Sequence, residues 1–302
     1  MKFKDMLSKL KNPLPPEAKT DKAKADVWFV TGASSGIGMA LCLELLGRGF
    51  KVAAASRNTA QLENMAQNHA GALLPLSADV TDGGQIKNAV SKTLEHFGKI
   101  DVVVNNAAVS SYTSTEESVE SDEKYLFEVN FWGAVRVVKE TLPHLRARKS
   151  GLIINISSVS GLTAFKGTGY YAASKHALEG FSQSLSEEIK PLGIGVLIVE
   201  PGIVKTPISQ KIKINYPAIE EYKAIFKDAI EYLENDVEYK TAQGSPEKTA
   251  RAIIDVACLK TRPLRLLLNA LTYDIVTDKL EKDKEEFLKY KAYTLRADYA
   301  GD

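Results

Sequence analysis

Three residues near the middle of the chain have the types and spacing of an acid/base site: Ser158, Tyr171 and Lys175. A phenol has an ordinary pKa of about 10, which is too high for easy proton exchange near neutral pH. A neighbouring lysine ammonium favours the phenolate and lowers that pKa, so the tyrosine can pass a proton to or from an alcohol or carbonyl oxygen. The Ser158 hydroxyl could hydrogen-bond to the same oxygen. Because a lone Tyr-x-x-x-Lys is short and common, a surface tyrosine and a solvated lysine are the simpler interpretation unless the surrounding chain supports a site.

The elements around these residues are suited to bring them together. Residues 152–156 are apolar and predict a buried strand, so Ser158 follows at its carboxyl end. The small and apolar residues from Tyr171 to Leu185 predict a helix. Since positions four apart share a helix face, Tyr171 and Lys175 are expected to point the same way.

A glycine-rich turn precedes this site in the chain. The apolar strand at 27–30 leads into a turn with Gly32, Gly36 and Gly38, and a helix is predicted from about Met39 to Leu46. In a dinucleotide site, such glycines allow a tight turn, a close approach to the pyrophosphate and close packing of helix on strand. The helix N-terminus then offers N–H groups and a positive dipole to the phosphates.

The second predicted strand, Lys51 to Ala55, ends at Ser56, where NAD-preferring sites carry an acidic residue that binds the ribose 2′-hydroxyl. Without a carboxylate there, the repulsion of a 2′-phosphate is removed, and Arg57 adds a planar cation that can bind it. The alternative is an ordinary surface arginine at the end of a strand. Because the glycine turn precedes it, we favour the phosphate interpretation.

Polar residues also follow the third and fourth predicted strands, at 73–77 and 100–104. Asp79 could accept a hydrogen bond from an adenine amino group, or it could cap the helix that starts near Asp82. Asn105 and Asn106 carry side-chain amides that could brace the carboxyl edge of the sheet.

A long helical pattern covers residues 120–147 and contains Asn130 among bulky apolar residues. A polar amide in that setting costs helix propensity and burial energy, which indicates a specific hydrogen-bonding role. Pro143 predicts that the helix bends or ends nearby.

The alternation of strands and helices continues, with further strands predicted at 194–199 and 264–268. This predicts an α/β fold with one doubly wound, Rossmann-like parallel sheet covered on both faces, and ligands at its carboxyl edge. We expect a single catalytic domain at 26–302, a lid for the substrate at 207–245, and a lysine-rich extension at 1–25. The lid holds several tyrosines and a phenylalanine, which either line an apolar or aromatic substrate or pack the lid onto the body.

Composition narrows the class of protein. The net charge of +1 does not favour a nucleic-acid partner. The four histidines show no metal-ligand spacing. The two cysteines, Cys42 and Cys258, are expected to be buried free thiols in a reducing, cytoplasmic compartment. The sequence has neither a membrane-length apolar run nor the apolar core of a signal peptide.

Taken together, these motifs occur in the order and at the spacing of the short-chain dehydrogenase/reductase family, which the chain therefore resembles. The resemblance is strong over about residues 26–206 and looser beyond, and the full set of motifs is far more specific than any one of them. The family usually has glycine where Ala108 stands, which adds one methyl group near the cofactor. The motifs that carry it are the glycine turn Thr31–Gly38, Asp79, Asn105-Asn106-Ala107, Asn130, Ser158, Tyr171, Lys175 and Pro201-Gly202.

The resemblance implies an oxidoreductase that uses NADP(H), forms homodimers or homotetramers, and interconverts a carbonyl and an alcohol. It implies that Tyr171 is the general acid/base, that Lys175 lowers its pKa and binds the nicotinamide ribose, that Ser158 positions the substrate oxygen, and that Asn130 holds a water in a proton relay. The residues expected at the cofactor lie in the turn or at the carboxyl edge of the sheet: Gly32, Ser34, Ser35, Gly36, Ile37, Gly38, Ser56, Arg57, Asn58, Asp79, Val80, Asn105, Ala107, Tyr171, Lys175, Pro201, Gly202, Val204 and Thr206.

Two other functions remain open at this point. One is a nucleotide sensor or scaffold that kept the fold without turnover, since fold alone does not decide function. The intact Asn130, Ser158, Tyr171 and Lys175 set argues against it, because a sensor needs no acid/base group. The other is an epimerase or dehydratase on nucleotide sugars, which the spacing of the glycine turn and the short tail fit less well.

Overall fold

A computed structural model describes residues 27–206, 212–234 and 244–297 of the chain. The expected extension at 1–25 lies outside the described residues, and so do residues 207–211 and 235–243 of the expected lid. The strands are β1 Val27–Thr31, β2 Lys51–Ser56, β3 Leu73–Ser77, β4 Val102–Asn105, β5 Ser111–Tyr112, β6 Gly151–Ile156, β7 Ile194–Pro201, β8 Lys213–Ile214 and β9 Arg265–Leu268.

Seven of these strands form one parallel sheet in the order β3-β2-β1-β4-β6-β7-β9. Its central strands are apolar on both faces, as expected of a parallel sheet covered on both sides. In β1, Trp28 and Val30 pack into the core on one face, and Phe29 between them packs into the core on the other. The predicted Rossmann-like doubly wound fold is confirmed.

The helices between the strands cover both faces of the sheet. They are α1 Gly36–Gly47, α2 Ala60–Gln67, α3 Gly83–Phe97, α4 Glu120–Phe127, α5 Gly133–Arg148, α6 Gly169–Ile189, α7 Glu220–Glu234, α8 Pro246–Ala257 and α9 Ala270–Thr294. The strand order reverses between β1 and β4, and in open α/β sheets a ligand binds outside the carboxyl ends at such a point.

The predicted helix at 120–147 is in fact three segments. A π-helical segment at Glu128–Trp132, which contains Asn130, separates α4 from α5. Of the two expectations for Pro143, a bend or an end of the helix, the end does not occur at the proline, because α5 continues through it to Arg148. The fully buried Leu145, two residues beyond the proline, shows what holds this last turn: its packing offsets the hydrogen bond that the proline removes.

The structure also defines the start of α8 and the state of the two cysteines. Ser245 caps α8, its hydroxyl accepting a hydrogen bond from the Lys248 N–H, with Pro246 at the first helical position. Cys42 and Cys258 are buried free thiols. Over the described ranges, the longest helices are too polar to cross a bilayer.

Candidate active site

Tyr171 and Lys175 lie on the same face of α6, at the carboxyl edge of the sheet. The Lys175 Nζ atom is 5.8 Å from the centre of the Tyr171 ring. The lysine side chain is 2% exposed, and its Nζ donates a 2.9 Å hydrogen bond to the Ile156 carbonyl at the end of β6. The same bond therefore fixes the lysine and joins α6 to the strand that precedes Ser158.

Burial lowers the pKa of Lys175 to about 8, and the negative charge of Glu179 opposes this shift. Below that pKa the side chain is an ammonium beside the phenol. A cation at this distance favours the phenolate form of Tyr171. The geometry thus provides the charge arrangement that the spacing predicts.

Ser158 lies immediately beyond β6, at the start of a short 3₁₀ turn at Val159–Gly161. Its Oγ accepts a hydrogen bond from the Ser160 N–H at 3.1 Å. A hydroxyl that accepts still has its own proton to donate. The half-buried side chain can therefore donate that proton to an oxygen bound at this edge.

Asn130 makes three hydrogen bonds from the π-helical segment. Its Oδ1 accepts from the Val109 N–H at 2.8 Å, and its Nδ2 donates to the Val109 carbonyl at 2.9 Å and to Ser174 Oγ at 3.1 Å. The side chain ties the loop after β4 to α6, next to Lys175. These hydrogen bonds offset the energetic cost of burying an asparagine at this position. Its role in holding a relay water stays a prediction.

The glycine turn has the shape that close approach of a dinucleotide requires. Gly32 and Gly36 have φ angles of +63° and +56°, and Ser35 at the start of α1 makes no side-chain cap. Asn106 Nδ2 donates to the Thr31 and Gly32 carbonyls at 2.9 and 3.1 Å, so the amide braces the turn. The N-terminal N–H groups of α1 are left for an anion such as a pyrophosphate.

Gly38 provides a test of this turn. A Cβ at Gly38 would lie 2.3 Å from the Gly32 carbonyl oxygen, so Gly38→Ala must displace the turn. We expect the dissociation constant for the dinucleotide to rise by at least about tenfold, as for a site that loses one good anion contact. Gly47→Ala, at the other end of α1, is the matched control because its Cβ meets nothing within 4 Å. Equal affinities in a fluorescence titration of the two variants would contradict this account of the turn.

The structure brings the predicted phosphate-discriminating residues to one corner. Ser56 Oγ donates to Ser34 Oγ at 2.7 Å, which joins the end of β2 to the glycine turn. Arg57 is exposed beside them, and its Nη1 donates a 2.9 Å hydrogen bond to the Tyr125 hydroxyl on α4. Sequence reasoning missed Tyr125, because it lies 68 residues from Arg57 and in no recognisable motif.

Asp79 and Asn58 form local turns at the same edge. Asp79 Oδ1 accepts from the Thr81 N–H and hydroxyl at 2.9 and 2.8 Å. Asp82, not Asp79, caps α3 by accepting from Gln85 N, so the capping alternative for Asp79 is excluded. Asn58 Oδ1 accepts from the Ala60 N–H at the start of α2.

The remaining cofactor candidates lie in the glycine turn or near the carboxyl edge of the sheet. Asn105 Nδ2 donates to Asn155 Oδ1 at 2.8 Å, and its buried Oδ1 has no hydrogen-bond partner among the described residues. An unpaired buried acceptor at the sheet edge suits a ligand donor. Thr206 is buried, and packing or backbone contacts involve the other candidates: Ile37, Val80, Ala107, Pro201, Gly202 and Val204.

One aromatic residue of the expected lid, Phe226, packs onto the body of the protein. β8 pairs with β5, and Phe226 of α7 contacts Tyr112 of β5 edge to face, with ring centres 5.7 Å apart. Phe226 is 6% exposed and also lies 5.9 Å from Tyr222. These contacts favour the packing alternative for Phe226, whereas Tyr216 of the lid is 58% exposed.

The described ranges also hold no group of three or more histidine, cysteine, aspartate or glutamate residues that could bind a metal ion. The acid/base pair, the donor at Ser158 and the glycine turn all lie at one edge of the sheet. This arrangement can hold a dinucleotide and transfer a proton to or from an oxygen beside it.

Comparison with known proteins places this arrangement in a family. Residues 26–217 match the family model for short chain dehydrogenase. An oxidoreductase from Penicillium decumbens, calM, is 36% identical over 280 residues, which cover 88% of this chain and 91% of the relative. The structure of a short-chain dehydrogenase from Streptomyces avermitilis superposes with a TM-score of 0.83 at 33% identity, covering 91% of this chain and all of that one.

An alcohol dehydrogenase from the archaeon Thermococcus sibiricus, whose structure holds 5-hydroxy-NADP, shares the fold. Its TM-score is 0.68 at 24% identity, covering 82% of this chain and 97% of that one. Because the family model spans more than half of the chain and the Penicillium relative matches nearly all of it, the chain is an oxidoreductase that belongs to the short-chain dehydrogenase family.

Proposed function

We propose that the protein is an NADP(H)-dependent oxidoreductase that interconverts a carbonyl and an alcohol, with Tyr171 as the general acid/base. The observation that carries the proposal is the position of Lys175. Its buried Nζ is fixed on the Ile156 carbonyl at 2.9 Å and lies 5.8 Å from the Tyr171 ring. A buried ammonium held in place beside a phenol is the means by which a tyrosine becomes a proton donor and acceptor near neutral pH.

Each residue of the set has a distinct role in this proposal. A bound nicotinamide supplies the hydride chemistry. Tyr171 gives its proton to the carbonyl oxygen in reduction and takes a proton from the alcohol in oxidation. Ser158 donates a hydrogen bond to the same oxygen and so orients the reacting carbon. Asn130 fixes the loop after β4 against α6 through Val109 and Ser174.

The preference for NADP(H) rests on the corner formed by Ser34, Ser56 and Arg57. A serine hydroxyl where NAD-preferring sites carry an acid leaves room for a 2′-phosphate without charge repulsion. The Arg57 guanidinium can bind that phosphate through two parallel hydrogen bonds. In a cell, NADPH favours the reducing direction, from a ketone or aldehyde to the alcohol.

The test is a titration of the purified protein with NADPH and with NADH, followed by challenge of the NADPH complex with a panel of ketones and aldehydes. We expect tighter binding of NADPH and a loss of the reduced-nicotinamide absorbance with at least one carbonyl. Tight binding without consumption across the panel would favour a nucleotide sensor instead. Failure to bind either nucleotide would overturn the proposal.

The hydrogen bond between Arg57 and Tyr125 leads to a prediction about cofactor choice. Tyr125→Phe frees the guanidinium, so more of its conformational entropy is lost when it binds the 2′-phosphate. We expect NADPH affinity to fall by about two- to fivefold, the value of one exposed hydrogen bond, with NADH affinity unchanged. Tyr273→Phe, an exposed tyrosine on α9, is the control. Equal losses for both cofactors would show that Tyr125 does not orient Arg57.

A further inference from the structure

Four ionisable side chains occur together on α6 and on the strands β7 and β9. They are Lys175 and Glu179 of α6, Glu200 of β7 and Arg265 of β9, here called the buried ionic cluster. Lys175, Glu179 and Glu200 are 2%, 4% and 0% exposed, so they are largely removed from water. Charges buried to this extent are costly unless they are paired, which makes their arrangement informative.

Arg265 joins the two carboxylates. Its Nη2 donates to Glu179 Oε2 at 3.0 Å, and its Nε is 3.5 Å from Glu200 Oε1. The second oxygen of Glu200 accepts from the Leu266 N–H at 3.0 Å. Arg265 is closer to Glu179, at 3.0 Å, than to Glu200, at 3.5 Å. Its positive charge therefore favours the ionised form of Glu179 more than that of Glu200.

Glu179 also lies against the turn that carries Ser158. A Cβ at Gly161 would lie 3.0 Å from Glu179 Cγ, so this glycine makes room for the carboxylate. Glu179 is four residues after Lys175, on the same face of the helix. The carboxylate therefore lies against the Ser158 turn and Arg265, on the helix face that carries Lys175.

We propose that Glu179 is a positioning residue that keeps Lys175 protonated, and that Arg265 in turn keeps Glu179 ionised. The proposal rests on the proposed function, since the charge of Lys175 matters there because it tunes Tyr171. Lys175 donates its one identified hydrogen bond to a neutral carbonyl, that of Ile156. Glu179 supplies the negative charge that a buried ammonium needs.

Burial and the neighbouring charges also act on the two carboxyl groups of the cluster. Burial holds the pKa of Glu179 above its ordinary value, against the opposing effects of Ser157, Arg265 and His176. For Glu200, burial and the charge of Glu179 raise the pKa to about 8 against the opposing effect of Arg265, so below that pH Glu200 holds a proton. The 3.0 Å contact with Arg265 favours the ionised form of Glu179, and Tyr171 is a further titratable group beside Lys175.

The experiment is a nuclear magnetic resonance titration of the Lys175 side chain in the full chain without cofactor. It compares the native protein with Glu179→Gln and with Glu200→Gln, and a Lys175→Arg variant assigns the signal. We expect the pKa of Lys175 to fall by about one pH unit in Glu179→Gln, the usual effect of losing a neighbouring charge. Glu200→Gln makes the same change in the same cluster and should leave Lys175 within a few tenths of its native value. A Lys175 pKa unchanged in Glu179→Gln, or lowered equally in both variants, would overturn the proposal.

A kinetic readout distinguishes this role from a structural one. In alcohol oxidation Tyr171 must be a phenolate, and a lysine that has lost its charge raises the pKa of the tyrosine. In a plot of the alcohol oxidation rate against pH, the acidic limb should therefore move to higher pH in Glu179→Gln. It should stay in place in Glu200→Gln. Glu179 itself is two helical turns from Tyr171, so its direct effect on the phenol is weaker than the effect of Lys175. A limb that does not move would contradict the proposal.

A second variant covers the case in which Glu179→Gln does not fold, which circular dichroism would show. Arg265→Gln removes the partner that keeps Glu179 ionised, so Glu179 should take up a proton and the pKa of Lys175 should again fall. An unchanged Lys175 in folded Arg265→Gln would overturn the proposal. Because the titration requires neither cofactor nor turnover, it can succeed even if the proposed reaction is wrong.

Discussion

Tyr171→Phe should reduce turnover by about 10²- to 10⁴-fold, the usual contribution of a positioned general acid or base. The phenyl ring fills the same space on α6 but has no proton to give to the carbonyl oxygen. Ser158 can still orient that oxygen, and the cofactor corner at Arg57 is unchanged. We therefore expect kcat to fall while the dissociation constant for NADPH stays within about twofold, as is usual for a loss confined to the transition state.

The neighbouring residue supplies a matched control. Tyr170 lies one position earlier on α6, and its hydroxyl is 2.9 Å from Ser118 Oγ. Tyr170→Phe removes the same atom without touching the pair formed by Tyr171 and Lys175, so it should keep most of the turnover. Full activity in Tyr171→Phe, or an equal loss in the two variants, would contradict the mechanism.

Arg57→Asp should reverse the preference between the two cofactors. A hydrogen bond to a charged group is worth about 1.5–3 kcal/mol, which is about 10- to 100-fold in affinity, and the new carboxylate adds repulsion of the 2′-phosphate. We expect the dissociation constant for NADPH to rise by about 100-fold or more. NADH should be held as well as before or better, since an acid at this edge can bind the ribose 2′-hydroxyl.

Arg57→Lys separates the effect of charge from that of shape. Lysine keeps the cation but not the planar fork that binds a phosphate through two bonds. It should therefore lose much less affinity for NADPH than Arg57→Asp does. Calorimetric titration of both variants with both nucleotides measures this, and parallel losses for NADPH and NADH would show that Arg57 is not the phosphate clamp.

The main features of the fold could be predicted from the sequence, because they depend on local patterns. The apolar runs at β1 and β6 form buried strands, and the glycines after β1 permit the positive φ angles that the tight turn requires. The i, i+4 spacing placed Tyr171 and Lys175 on one face, as the structure confirms. Pro143 does not end α5, because the residues after it, such as Leu145, are buried and keep the last turn helical as far as Arg148.

Contacts between distant parts of the chain could not be predicted. The bond from Arg57 to Tyr125 spans 68 residues, and the pair of Glu179 and Arg265 spans 86. No periodicity marks Glu179 as buried or Arg265 as its partner, since both are charged residues that usually lie at the surface. The packing of Phe226 on Tyr112 likewise depends on where the lid docks, which composition does not specify.

The most direct test of the proposed reaction is hydride transfer from a labelled cofactor. NADPH that carries deuterium at the reactive position of the nicotinamide is mixed with the protein and a carbonyl compound from the panel, and the alcohol is analysed by mass spectrometry. We predict an alcohol with one deuterium on the former carbonyl carbon, formed by the native protein and nearly absent with Tyr171→Phe. A cofactor that binds tightly but passes no deuterium to any carbonyl of the panel would contradict the proposal and leave a nucleotide-binding protein without this chemistry.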